Sequence, residues 1–402
     1  MRVSNLLLTA LLLTALAAAG CGNGPTGTSE TSGSSTTHAA GNTSQPEPLF
    51  QTVLDGAVAV NVSTNGTDSP VVAWITADHV MTANLDLVTG DLTEPSEVDG
   101  GVHPIAHPIE RPALAVRSDG TVDIAFTSFE GTGASVYYSF GGSGPEVVSG
   151  EPQMETNLVH VTLVDDSPVL AWLEDSTLSV GVGSNNAISE TELVDDLTCD
   201  CCNPVPAMAG GSLVVSYRDF DHVDGEIVRD VVAIASTDGG ASFGSPVPVA
   251  DDHWFLTGCP FSGPSAVVVD DELVVAWMDG RQSVHPDQQS SSIWVDRSSD
   301  GGSTYGADLE VTGEGLNRWP VMTVDGNETI HLVWETAGPD GGLSYATSSD
   351  GGHSFHVEEP LVTRSAGDDG APTSPSVAVH DDLLIVTWTN SGVGRVAAWR
   401  IG

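Results

Sequence analysis

The chain contains no lysine: all 11 of its basic residues are arginine, set against 55 acidic ones, for a formal net charge of -44. No broad basic face can be assembled from that composition, which argues against nucleic acid or anionic membrane as a general partner. A dense carboxylate surface chiefly gives solubility in a salty medium, where counter-ions screen the self-repulsion. The same scarcity makes any clustering of arginines informative. Helical periodicity is missing too; the apolar runs are short, rich in Val and bounded by Gly, Asp and Pro, as strands require. The longest apolar run, Leu6 to Leu16, is too brief to span a bilayer as a permanent helix. Cysteine is sparse, at 5 residues.

What is present begins with an export signal. Arg2 supplies a positive start, Leu6 to Leu16 an apolar segment, and Ala18-Ala19-Gly20-Cys21 resembles a bacterial lipobox, so residues 1–21 read as a lipoprotein signal with lipidation expected at Cys21. By resemblance to Gram-negative lipoproteins, Gly22 in place of Asp favours the outer membrane or cell surface. Residues 22–48 are Gly, Ser, Thr, Asn and Pro with little apolar content and read as a disordered tether. Residues 49–402 remain for one large all-β domain, a length such domains commonly reach.

That domain is repetitive. A short apolar run ending in an aromatic recurs seven times: Val71 to Trp74, Val122 to Phe126, Val169 to Trp172, Leu213 to Tyr217, Leu273 to Trp277, Ile330 to Trp334 and Leu384 to Trp388. The spacing of about 45 to 60 residues is that of a four-stranded propeller blade. Upstream of several copies lies a second apolar run opened by Pro, as at Pro112, Pro264, Pro320 and Pro375, joined to the first by an Asp- or Gly-bearing turn. The expected fold is an all-β, seven-bladed β-propeller. Its last copy has only three strands, so Leu49 to Leu54 is expected to complete it and close the ring without an exposed edge.

Three turns share one pattern: Ser236 to Phe243, Ser298 to Tyr305 and Ser348 to Phe355, each beginning Ser-x-Asp-Gly-Gly and ending on an aromatic. They resemble the Asp boxes, or bacterial neuraminidase repeats, of sialidase-like proteins, and the resemblance implies folding turns without a catalytic role. The segment Glu110-Arg111-Pro112-Ala113-Leu114 is similar to the opening blade of sialidases, where an arginine serves the sialic acid carboxylate; here Pro112 follows Arg111 directly. A six-bladed sialidase-type ring is the alternative this implies.

Antiparallel blades place alternate loops on opposite rims. The Ser-x-Asp-Gly-Gly turns fall on one rim. On the other fall Arg111, Arg218, Arg229, Arg281 and Arg318, with Arg395 expected in the last loop there. Guanidinium groups bind carboxylates through paired hydrogen bonds, so this rim reads either as an anion-binding mouth or as a set of arginines each paired with a neighbouring acid. Trp254 and Trp319 flank it, positioned to stack on a sugar or to plug crossovers. By the sialidase resemblance these arginines are candidates for a carboxylate-binding triad and Asp219, Asp230 or Asp279 for the acid. No Tyr-Glu nucleophile pair is identifiable, Tyr217 and Tyr345 reading as strand residues. His160, His331 and His380 read as structural.

With Cys21 lipidated, Cys199, Cys201, Cys202 and Cys259 remain, on the crossovers of two adjacent blades. An even number in an exported chain points to two disulfides, one between blades and one local, with the pairing open. A thiolate metal site, helped by His253 or by His103 and His107, is the alternative. The functional expectation is a monomeric, surface-anchored propeller without a cofactor that binds an acidic glycan or another anionic ligand. The alternatives are an exo-acting glycoside hydrolase of sialidase type, and a protein-interaction scaffold or metal site.

Overall fold

The computed structural model describes residues 45–401, apart from 67, 132, 151–155, 185–186, 251, 282–289, 314, 339–340 and 365–369. The export signal, Cys21 and all but the end of the tether lie outside the described residues. Every regular element among them is a β-strand, and seven antiparallel sheets of four or five strands form the blades of a propeller. The first two strands of the blades are Ala59–Ser63 and Val71–Ile75, Ala113–Val116 and Val122–Glu130, Thr156–Val164 and Ser167–Glu174, and Val205–Ala209 and Ser212–Arg218. They continue with Ser265–Val269 and Glu272–Asp279, Asn317–Val324 and Ile330–Thr336, and Thr373–His380 and Leu383–Asn390.

The repeated aromatics explain why this pattern folds this way. Trp74, Phe126, Trp172, Tyr217, Trp277, Trp334 and Trp388 are all buried, each on the second strand of a blade and facing its neighbour. A flat blade has two apolar faces and only another blade can cover both, so the strands carry continuous apolar runs instead of strict alternation. Burying one such ring contributes about 1.5–3 kcal/mol, and the term recurs around the ring.

Strand Phe50–Leu54 pairs antiparallel with Val393–Arg400, Phe50 opposite Ala398, and completes blade seven as its fourth strand. Ordered contact starts earlier than expected. Gln45 Nε2 donates to Leu361 O at 2.6 Å, and Trp399 Nε1 donates to Pro46 O at 3.0 Å. The last residues assigned to the tether are therefore held on the propeller, because that short polar stretch meets unpaired groups on blades six and seven.

Two elements were not foreseen. The loop between the second and third strands of blade four folds into a hairpin, Asp221–Val223 with Glu226–Val228. Blade six carries a fifth short strand, Val362–Thr363. Arg395, expected in a loop, lies inside strand Val393–Arg400, opposite Trp388 and Val53, because the Ser391-Gly392 turn before it is tight.

The Ser-x-Asp-Gly-Gly turns are built alike. In the first, Asp238 Oδ1 accepts from Ser242 N at 2.9 Å and Ser236 Oγ at 2.7 Å, while Ser236 Oγ accepts from Gly240 N at 2.8 Å. Asp300 and Asp350 repeat the arrangement. Gly240 has φ +93°, and a Cβ there would stand 2.5 Å from Val182 of the preceding blade. The turn thus lets two blades close on each other, which is a folding role.

Candidate functional site

On the opposite rim the crossovers and loops of blades two and four to six enclose a cleft of about 820 Å³. It adjoins a narrower channel of about 130 Å³ along the inner strands, and Ile109, Phe261 and Trp319 border both spaces. The cleft is apolar and aromatic with arginines and imidazoles at its margin: Trp254, Phe255, Phe261 and Trp319, then Arg281, Arg318, His107 and His253. Phe255, Phe261 and Leu316 keep 53%, 48% and 40% of their surface exposed in its wall.

Three cleft residues other than glycine have left-handed backbones: His253 (φ 53°), Phe261 (φ 52°) and Trp319 (φ 52°). Such a conformation is costly for bulky side chains and persists only where the surroundings impose it. The surroundings are visible. Asp230 accepts from the backbone N–H groups of His253 and Trp254 at 3.0 and 2.8 Å. Trp319 N donates to Ser262 Oγ at 3.0 Å, its indole N–H donates to Phe261 O, and it sits in the bulge between Arg318 and Val321. Gly280 is required beneath Trp254, where a Cβ would come 2.7 Å from the indole nitrogen.

The arginines on this rim divide sharply. Arg218 is fully buried, and its guanidinium donates only to backbone carbonyls: Ser262, Arg229 and Met278, at 3.3, 2.5 and 2.7 Å. It ties blade four to blade five and does not reach the cleft, a correction to its reading as a ligand contact. Arg229 is also buried, donating to Leu256 O and to Cys199 Sγ. Arg281 pairs with Asp252, Asp279 and Asp308 and stacks 4.1 Å from the Trp294 ring. Arg318 donates twice to Glu335 Oε1, at 2.9 and 2.6 Å, and its side chain stays 44% exposed. Arg111 differs from all of these. Its guanidinium donates to Pro375 O, lines the channel, and has no carboxylate partner among the described residues. Burial pulls its pKa down to about 10, and burial with the Arg111 charge pulls His160, on the same channel wall, down to about 4.

The acids on this rim are held in unfavourable surroundings. Asp219 is pushed up to about 6, first by burial and then by Asp195, Asp221 and Asp230. Asp252 is pushed up by burial and by Asp279 and Asp230 beside it. Glu335 is raised by burial against the pull of Arg318. Glu110, which accepts from Thr127 Oγ1 at 3.0 Å, is raised to about 7 by burial. Asp219, Asp230 and Asp279, the acid candidates, brace loops behind the cleft and do not line it. Tyr217 donates to Asp195 and Tyr345 meets His331, so no Tyr-Glu pair faces the cleft among the described residues.

The cysteines converge. Cys201 and Cys259 form a disulfide between the crossovers of blades four and five. Two disulfides were expected with the pairing open; Cys199 and Cys202 are instead free and buried, with Sγ atoms 3.2 Å apart. Arg229 Nη1 lies 2.9 Å from Cys199 Sγ and provides an ionic partner for a thiolate there. Cys199 is lowered to about 7, first by Cys202 and then by Arg229 and Arg218, while burial raises Cys202.

Sequence reasoning missed Phe255, Phe261 and Leu316 in the cleft and Asn203 in the channel, and assigned His160 a structural role only. Left-handed backbones at bulky residues leave no compositional trace; the available signal was a large apolar residue inside a crossover, as in Trp254-Phe255-Leu256.

No protein-family model matches the chain, and no curated protein sequence matches it. Solved structures do resemble it. A polysaccharide lyase, PL25 ulvan lyase, aligns with TM-score 0.57 at 15% identity, over 89% of this chain and 96% of that one. The same kind of lyase solved with a GlcA-containing saccharide gives TM-score 0.55 at 14% identity, over 89% of this chain and 96% of that one. Polysaccharide lyase Uly1 gives 0.54 at 12% identity, over 91% and 94%. A protein of unknown function from Dyadobacter fermentans DSM 18053 gives 0.52 at 13% identity, over 88% and 99%. At these identities the likeness is one of fold.

Proposed function

We propose that this propeller is carbohydrate-active and takes an acidic glycan in the cleft, the sugar faces against Phe261 and Trp319 and an acidic group directed towards Arg111. The observation that carries the reading is the convergence of His253, Phe261 and Trp319, three strained non-glycine backbones, on one aromatic cavity. Local strain gathers where a fold presents side chains to a ligand, and an aromatic wall with a few cations suits a sugar carrying a carboxylate. The neighbouring lyases act on polysaccharide, and one was solved with a saccharide containing GlcA, an acidic sugar. Calorimetric titration of the purified protein with uronate-bearing oligosaccharides and their carboxyl-reduced counterparts tests this. Binding of the acidic forms only is expected; equal affinity for both sets, or none for either, removes the proposal.

A catalytic second reading draws on His107 and His253, both on the cleft wall beside Arg281 and Arg318. A base and a cation flanking a uronate carboxylate are what proton abstraction next to that carboxylate requires. Hydrolysis of sialidase type would need a nucleophile pair that the cleft does not present among the described residues. Incubation with acidic polysaccharide, read for unsaturated uronyl ends and for new reducing ends, separates elimination, hydrolysis and binding alone. The reading includes surface attachment through a lipidated Cys21, which mass spectrometry of the mature N-terminus would find or refute.

A further inference from the structure

We propose that Cys199, Cys201, Cys202 and Cys259, with Arg218 and Arg229 behind them, form a tetrathiolate site for one soft divalent ion, Zn²⁺, when the Cys201–Cys259 bond is reduced. Two independent observations carry this. The first is the geometry of the sulfurs: all four Sγ atoms lie within 4.8 Å of one another. Cys199 is 3.6 Å from Cys201 and 3.2 Å from Cys202, and Cys201 is 3.9 Å from Cys202. Four thiolates at the usual Zn–S length of about 2.3 Å stand roughly 3.8 Å apart along the edges of a tetrahedron. The three edges among Cys199, Cys201 and Cys202 are already near that size, and reduction of the Cys201–Cys259 bond frees the fourth sulfur, which lies within 4.8 Å of the others, to take the remaining corner.

The second observation is charge. Arg229 is buried, in a chain with a fivefold excess of acidic residues, and hydrogen-bonds no carboxylate among the described residues, while Arg218, also buried, is satisfied by three backbone carbonyls and adds its positive charge. A buried guanidinium is stable only with an anionic partner or full hydrogen bonding. Arg229 directs Nη1 at Cys199 Sγ, 2.9 Å away. Four thiolates and one Zn²⁺ carry two negative charges, and the two arginines balance them. Donors to the ligating sulfurs behind a metal centre are what orients it and holds its charge. The place is also open to chemistry, since Cys201 borders the channel and Cys259 the cleft.

The electron balance is simple. A dithiol reductant supplies two electrons and two protons to the Cys201–Cys259 bond, giving two thiols and leaving the reductant as its own disulfide. The four cysteines then bind Zn²⁺ and release their thiol protons. A disulfide oxidant reverses this: it takes two electrons from Cys201 and Cys259 and two protons from water to become a dithiol, the Cys201–Cys259 bond closes, the ion leaves, and occupancy follows the redox state beside the cleft.

The test uses the full chain, reduced under anaerobic conditions. Equilibrium dialysis should find one Zn²⁺ per chain, Co²⁺ in its place should give the sulfur-to-cobalt charge-transfer absorption of a tetrahedral thiolate site, and Zn²⁺ should protect all four propeller cysteines from alkylation. Cys199→Ser should lower the charge-transfer absorption by about a quarter or more and weaken Co²⁺ binding. Arg229→Met should weaken Zn²⁺ by about 10–100-fold with the band retained, the loss usual when a metal centre loses such support. Absence of the band in the reduced native chain, or unprotected cysteines at saturating Zn²⁺, overturns the proposal without reliance on any variant.

Discussion

The two rims of this propeller treat the same side chain in opposite ways. On the rim of the Ser-x-Asp-Gly-Gly turns, Asp238 and Asp350 are exposed, wrapped by hydroxyl and backbone donors, and held down to about 2, first by Ser242 and Ser354. Asp86, Asp119, Asp166, Asp300 and Asp325, in turns of the same rim, are lowered as well. Across the ring Glu110, Asp219, Asp252 and Glu335 are raised by burial. Asp296, near the second of those turns, is the exception, pushed up where Tyr305 and its own blade enclose it. The turn rim satisfies most of these acids at the surface, buries Asp123 against Arg117, and secures the fold. The other raises its acids by burial, holds His253, Phe261 and Trp319 in left-handed backbones and keeps apolar rings in the open beside a frame held by Arg218, an arrangement that suits a site.

The largest test of that division is Arg218→Met. It leaves three buried carbonyls unpaired on the mouth rim, and bonds from charged donors contribute about 1.5–3 kcal/mol each, so chemical denaturation should find a loss of about 3 kcal/mol or more. If stability held and only ligand affinity fell, Arg218 would belong to the site and not to its frame.

The pH profile comes next. Glu110 is raised from 4.5 to about 7 and Asp219 from 3.8 to about 6, so the folded protein holds protons that the unfolded chain has released. Their stabilising effect is complete below about pH 4 and is lost as pH rises towards 7, by on the order of 3 kcal/mol for the well-buried Glu110. Asp238 and Asp350 act in reverse, stabilising above about 3.8 and losing that effect as pH falls towards 2. Thermal melts from pH 4 to 8 should flatten in Glu110→Gln; an unchanged slope would show that Glu110 is not buried as described.

A smaller effect belongs to the turn rim. Gly240→Ala forces a Cβ against Val182 at φ +93° and should lower stability by about 1–3 kcal/mol with glycan affinity unchanged. The smallest lies in the cleft: Phe261→Ala should weaken an acidic oligosaccharide by roughly 3- to 10-fold, since one aromatic contact contributes about 0.5–1.5 kcal/mol, with little change in the melting temperature. An effect of Gly240→Ala on affinity, or of Phe261→Ala mainly on melting, would erase the distinction between the rims.

The architecture was legible because it is periodic. Trp74, Phe126, Trp172, Tyr217, Trp277, Trp334 and Trp388 recur at blade spacing since every blade must bury the same ring, and the three-stranded last copy called for a strand from the other end. The site was legible only as a region. Arg218 and Arg111 look alike in sequence, yet one is absorbed by three carbonyls and the other opens on the channel. Which of these an arginine does depends on the crossover of the next blade, and no local pattern encodes that. Phe261 and Trp319 owe their placement to backbone conformations imposed from blades apart. The cysteines could be counted in advance, but the division into one bond and two thiols follows from which of them the crossovers of blades four and five bring together.

Closure of the ring has a consequence in time. Strand Phe50–Leu54 is among the first parts of the propeller to be synthesised, and its partner Val393–Arg400 is the last. Blades one to six can form from neighbouring segments as the chain lengthens, while blade seven must join two ends separated by nearly the whole domain. Non-local pairing of that kind is slow. Until it happens Val393–Arg400 presents a bare edge that a second chain could occupy. Gln45 and Pro46, bonded to Leu361 and Trp399 once the seam is closed, add to the contacts that hold it shut.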